Sequence, residues 1–181
     1  MLKTLVLVLA CAACAACGYV EKKTNDTINK YTSTDRPRVV LDFPVIGKDL
    51  RMKEFVTEFY ADAEVYGNKV EHDITSVDFI TDLPVADGFP PDTIGFCKTF
   101  VNPGDNSEVY RTVSILQRAW QAMTWQSQRT LIYHELGHCA LNEEHTPKGS
   151  GNIMDPYLVP DEVSQPNWPE LVNYEFVNSH L

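Results

Sequence analysis

Two histidines four residues apart, with a glutamate beside the first, constrain this chain more than any other stretch: His134-Glu135-Leu136-Gly137-His138. On an α-helix, residues i and i+4 stand one above the other on the same face, so two imidazoles at that spacing reach one metal ion. Glu135 sits next to them, placed to take a proton from a water at such a metal. Residues 125–141 read as one helix of about four turns, with Thr124 or Ser127 as N-cap and Leu131, Leu136 and Ala140 turned to a core. The competing reading is an accidental polar stripe on a surface helix. The residues beyond the helix decide against it.

Asn142 comes next, a residue that tolerates the left-handed conformation in which helices end. A sharp turn there brings His145 back toward the first two histidines. About ten residues later comes Asn152-Ile153-Met154-Asp155-Pro156-Tyr157. A helix with two His, a turn, a third His and then a loop built around Met resembles the metzincin metallopeptidases, whose pattern is H-E-x-x-H-x-x-G-x-x-H followed by a Met-containing turn. The run is also similar to small secreted bacterial proteins carrying H-E-L-G-H-C, a short turn, a His and I-M-x-P-Y. The resemblance covers roughly residues 128–157. It implies Zn²⁺ held by His134, His138 and His145, Glu135 as catalytic base, and Met154 packed beneath the metal. It also makes Tyr157 a candidate contact to the oxyanion or substrate.

The spacing departs from the family by one residue. The family's glycine and third ligand fall at Leu141 and Glu144, whereas the turn residue and the histidine each come one place later, as if the helix had gained a residue. Because the ligand follows the turn and not the count, His145 is expected to ligate in preference to Glu144. Core filling is the commoner fate of a Met, and Tyr157 could be an ordinary buried aromatic. His72 and His180 lie outside any ligand spacing and are expected to be solvated.

Residues 1–17 read as a targeting segment: Lys3 supplies a positive start, residues 4–10 an apolar run, and Cys11, Cys14 and Cys17 lie among small residues. Small residues before a Cys resemble the bacterial lipobox, in which that Cys is acylated. Cys17 is the favoured lipidation candidate, Cys11 fits the apolar position better, and cleavage after an Ala without lipidation is the alternative. Residues 18–36 are polar and read as a tether, leaving 37–181 as one metallopeptidase domain. The net charge of -10 makes a poor nucleic-acid binder. We expect an exported monomer that acts on a peptide or protein substrate and meets the membrane only through a lipid anchor.

The body reads as α+β and metzincin-like: a twisted mixed sheet, a zinc-binding active-site helix, and a small C-terminal subdomain ending in a helix. Strands are expected at 38–43, 74–80, 94–101 and 109–117, the last two around a turn at 102–106. Residues 49–66 form an amphipathic helix burying Leu50, Met52, Phe55, Phe59 and Ala63. Residues 83–92 are a loop, and 166–178 a final helix. Cys97 and Cys139, the only cysteines outside the targeting segment, are expected to pair in an oxidising compartment; two buried thiols are the alternative. The expected activity is a zinc-dependent endopeptidase that binds its substrate extended along strand 94–101 or 109–117. The rivals are a non-catalytic zinc-binding surface lipoprotein or scaffold, and an amidase acting on cell-wall peptide.

Overall fold

A computed structural model describes Val45 and residues 49–68, 74–84 and 87–178. The targeting segment, the tether, Cys11, Cys14, Cys17, strand 38–43, His72 and His180 lie outside the described residues. No helix among the described residues is long and apolar enough to cross a membrane.

Helix α1 spans Leu50–Tyr66 because both ends are capped. The Asp49 side chain accepts from Arg51 N at 2.9 Å, satisfying one of the amides that a helix start leaves unpaired. At the other end Gly67, at φ 74°, turns the chain out of the helix. The buried stripe is Met52, Phe55, Val56, Phe59 and Ala63. Leu50, expected in that stripe, is 84 % exposed; at 3.6 residues per turn it lies about 200° around the helix from buried Met52 and faces away from the core.

Strands β1 (Ile74–Ile80), β2 (Gly95–Val101) and β3 (Glu108–Leu116) form a three-stranded mixed sheet in the order β1-β3-β2. β2 and β3 are an antiparallel hairpin, with Asn106 at φ 58° in the connecting turn. β1 pairs parallel to β3, so β3 is paired on both sides. The segment 109–117 therefore cannot offer an open edge to a substrate, and that half of the strand expectation is corrected. Its last residue, Gln117, begins a short helix instead. Val45 forms a parallel bridge to Val77 on the far side of β1.

Helix α2 (Gln117–Ala122) has no counterpart among the expected elements. It serves to bury Trp120, whose ring meets Phe55 and Phe79 and whose indole N–H donates to Asp49 Oδ2 at 2.8 Å. Helix α3 (Trp125–Ala140) carries the histidine pair. Thr124 Oγ1 caps it, accepting from Ser127 N at 3.1 Å. The helix lies between α1 and the sheet and is buried on nearly every face, so an amphipathic stripe understates it. Two of its buried polar side chains are paired across the core: Tyr133 Oη donates to Asp62 at 2.6 Å, and Arg129 is ion-paired to Glu58 between the rings of Trp125 and Trp168.

A single turn, α4 (Asp161–Ser164), precedes α5 (Trp168–Asn178). The Asp161 carboxylate accepts from the hydroxyls of Thr124 and Ser127, fastening this turn to the start of α3. Trp168, Leu171, Val172 and Phe176 enter the same core as Phe59 and Tyr133. The C-terminal helix thus shares one hydrophobic core with the rest.

Candidate metal centre

The imidazoles of His134 and His138 project from consecutive turns of α3, and the chain past the helix returns the third. Asn142 stands at φ 58°, in the left-handed region where its short polar side chain is tolerated. Glu143 N donates back to Gly137 O at 3.1 Å, the long bond that closes a left-handed helix end. His134 Nε2 lies 3.2 Å from His138 Nε2 and 3.2 Å from His145 Nε2. All three ligand atoms lie within 4.8 Å of one another. Glu144 is exposed and stands outside the group.

The protonation of two rings follows from their partners. His134 Nδ1 is 2.7 Å from Ile153 O, and His138 Nδ1 is 2.6 Å from Glu143 O. A carbonyl oxygen only accepts, so each Nδ1 carries the proton and each Nε2 of the neutral ring presents a lone pair. Burial, the largest cause, depresses His134 to about 4 against the opposing hydrogen bond to Ile153 O, and the neighbouring His138 and His145 depress it further. Burial likewise lowers His138. Two lone pairs held 3.2 Å apart repel unless a cation lies between them. Ligand nitrogens about 2.0–2.1 Å from a tetrahedral ion stand about 3.3 Å apart, so the spacing fits such an ion. This His group could hold a metal ion, with Nδ1–H bonds to carbonyls orienting two of its three rings.

Glu135 is 4 % exposed, and its carboxylate has no hydrogen-bond partner among the described residues. Burial alone pushes it up to about 8. It packs against the backbone of β2: a Cβ placed on Gly95 would lie 2.7 Å from Glu135 Oε1. Glu135 and the three histidines line one cavity of about 810 Å³, together with Gly95, Cys97 and Tyr157. Half-exposed Tyr157 stands on its rim with Lys148 Nζ 4.2 Å from the ring centre.

The loop from residue 142 to 158 is shaped from within. Thr146 N donates to Met154 O at 2.9 Å. Asp155 accepts from Tyr157 N at 3.1 Å and Gly151 N at 3.3 Å. Burial raises the Asp155 carboxyl, but the amide hydrogen bonds from Tyr157, Gly151 and Gly149 outweigh it and leave the group below its usual range. Met154 is 2 % exposed and packs under α3. A Cβ on Gly137 would lie 2.5 Å from both Met154 Sδ and Glu175 Oε1, so only glycine fits between the two helix histidines. Glu175 is fully buried; burial first, and then the nearby Glu143 carboxylate, raise it well above the usual carboxylate range.

Cys97 on β2 and Cys139 on α3 lie at disulfide distance, with Sγ atoms 2.09 Å and Cα atoms 5.4 Å apart. The cross-link lies one residue past His138 and joins α3 to the strand that lines the cavity. Leu116 N donates to Ile94 O at 2.8 Å. In an antiparallel ladder the pairing alternates, so the main chain of Gly95, Cys97 and Thr99 faces away from β3. Among the described residues no strand pairs with that edge.

Four contributors to the site escape a reading of the sequence: Gly95, Arg111, Glu143 and Glu175. Each is brought in by tertiary packing and carries no local signal, save that a glycine inside a strand marks a close approach. No protein-family model matches this chain, and no curated protein or solved structure matches it.

Proposed function

We propose that the chain is a zinc-dependent endopeptidase of metzincin type, exported and lipid-anchored through its N-terminal segment. One observation carries the reading: three imidazoles converge on a single point, beside a buried, unpaired carboxylate on the wall of a cavity. Structural zinc sites are usually closed by four protein ligands and rich in Cys. Three His and a free Glu fit an open site. The donor set of three imidazole nitrogens suits Zn²⁺ among the common divalent ions. When bound, zinc supplies a Lewis acid that acidifies water and polarises a carbonyl oxygen.

The chain's own residues do the rest. His134 and His138 stay neutral because burial and their Nδ1–H bonds favour that form. Glu135, held in a dry wall with its proton affinity raised, accepts a proton from water and returns it to the leaving amine. A carboxylate with other hydrogen bonds would be a weaker base. The exposed edge of β2 offers outward amides and carbonyls at Gly95, Cys97 and Thr99, to which an extended peptide could add as a strand. Tyr157, which lines the same cavity, is the candidate contact to the bound chain.

The test pairs a zinc determination with cleavage of an unfolded protein, comparing wild type with Glu135→Ala. One zinc per chain in both, with cleavage lost only in the variant, is the expected result. Zinc in the wild type with no cleavage of any peptide would favour the non-catalytic scaffold. Cleavage of cell-wall peptide alone would favour the amidase.

A further inference from the structure

Arg111 sits on the central strand β3, 7 % exposed, and its guanidinium reaches across to the end of α3. Nη1 donates to His138 O at 3.1 Å and Cys139 O at 3.3 Å, and Nη2 donates to Asn142 Oδ1 at 3.1 Å. The last carbonyls of a helix have no partner within it, and the helix end carries partial negative charge. A cation with a planar fork of donors satisfies both needs, and does so at every pH the fold survives.

The position of this fork matters more than its strength. Its acceptors described at this end of the helix are His138, Cys139 and Asn142, the last turn and the left-handed residue after it. That turn is the only covalent path of short length between the second histidine and the third. It also delivers Glu143 O to His138 Nδ1. The disulfide holds the helix end to β2 but touches nothing beyond Cys139. Arg111 alone among the described residues joins the sheet to both the helix end and the residue that reverses the chain.

We infer that Arg111 is a positioning residue of the metal centre, presetting the turn at Asn142 so that His145 meets His134 and His138 before any metal arrives. This rests on reading the His group as a metal site, and not on peptidase activity. Lysine at 111 would keep the charge near the helix end but, as a point charge on a flexible stem, could not span the three acceptors.

Zinc affinity, titrated with the ion alone against a chelator, tests it in a cycle of wild type, Arg111→Lys, His145→Ala and the double variant. Arg111→Lys is expected to weaken zinc by about 10–100-fold, the range found for groups that orient ligands. Because the clamp acts through His145, the double variant should bind no more than about three-fold more weakly than His145→Ala alone. A merely structural arginine would lower thermal stability yet leave affinity unchanged well below the transition. Affinity of Arg111→Lys within about three-fold of wild type, or full additivity in the double variant, overturns the inference. Should Arg111→Lys fail to fold, Asn142→Gly keeps the left-handed turn and removes only the acceptor. An affinity loss of about three-fold or more then supports the clamp, and an unchanged affinity overturns it. A wild type that binds no zinc refutes the metal site and this inference together. A wild type that binds zinc but hydrolyses nothing refutes only the peptidase.

Discussion

The metal centre has two unlike halves. His134 and His138 stand on a helix buried on nearly every face, fixed to β2 through Cys139 and packed on Met154 and Glu175 through Gly137. His145 comes from an exposed stretch after the helix, tied to the sheet at one end through Arg111 and Asn142 and to the core at the other through buried Ile153 and Met154. One half lies within the core, and the other is fixed to it only at its two ends. The difference teaches that two of three ligand positions can be set on a buried helix while the third, on His145, stays open to solvent. It also predicts different penalties on the two sides: stability lost with the helix half, affinity lost with the loop half.

The largest effect expected is on the helix side. Glu135→Gln should lower cleavage by about 10²–10⁴-fold with zinc retained, measured as kcat/KM. In the metal-free protein the same change should stabilise. The Glu135 pKa is raised in the fold, so its favourable contribution is full below its unfolded pKa and is lost as pH rises through about 8. Wild type should therefore lose stability between about pH 4.5 and 8 relative to Glu135→Gln, by on the order of 2 kcal/mol or more at pH 8. Equal chemical-denaturation profiles across that window would break the idea that the base is held against its will.

Next comes the ligand contrast. His145→Ala should weaken zinc by more than about 100-fold, exceeding what an outer-shell partner costs, while leaving metal-free stability within about 0.5 kcal/mol of wild type. If metal-free melting falls by several degrees instead, the exposed stretch around His145 carries fold stability and the comparison fails. Removing the cross-link with Cys97→Ser and Cys139→Ser should cost about 2–4 kcal/mol, since it closes a long loop; free thiols counted on unfolded, unreduced protein check that it forms. Gly137→Ala should cost about 1–3 kcal/mol by overpacking against Met154 and Glu175, with zinc weakened as the histidines are pushed apart. The smallest effect is Glu144→Ala, expected within about 0.5 kcal/mol and with unchanged zinc stoichiometry; a lost zinc would exchange the roles of 144 and 145.

What can be read without the fold is whatever is written locally. Thr124 ahead of the helix, Asn142 behind it, and the strand alternation at 74–80 depend on a residue and its neighbours, and the expected elements among the described residues fall within about two residues of expectation. The grouping of His145 with His134 and His138 came from counting along one turn. Strand order could not be read so. Whether 109–117 is an edge or a centre depends on a parallel partner some 35 residues earlier, and nothing in its own alternation distinguishes the two. Arg111 and Glu175 read as ordinary surface charges, because the helix end and the glycine they serve lie far away in sequence. The short helices at 117–122 and 161–164 are too brief for a period to declare itself.

Gly95 and Glu135 occupy adjoining space so closely that a single methyl group would not fit between strand and carboxyl. The strand thus acts as a gauge for the base. Were β2 to drift outward by the width of a water molecule, solvent would reach the carboxyl, its proton affinity would fall toward that of an ordinary glutamate, and the group would become a poorer proton acceptor. An extended chain lying along the strand would close the same gap from outside.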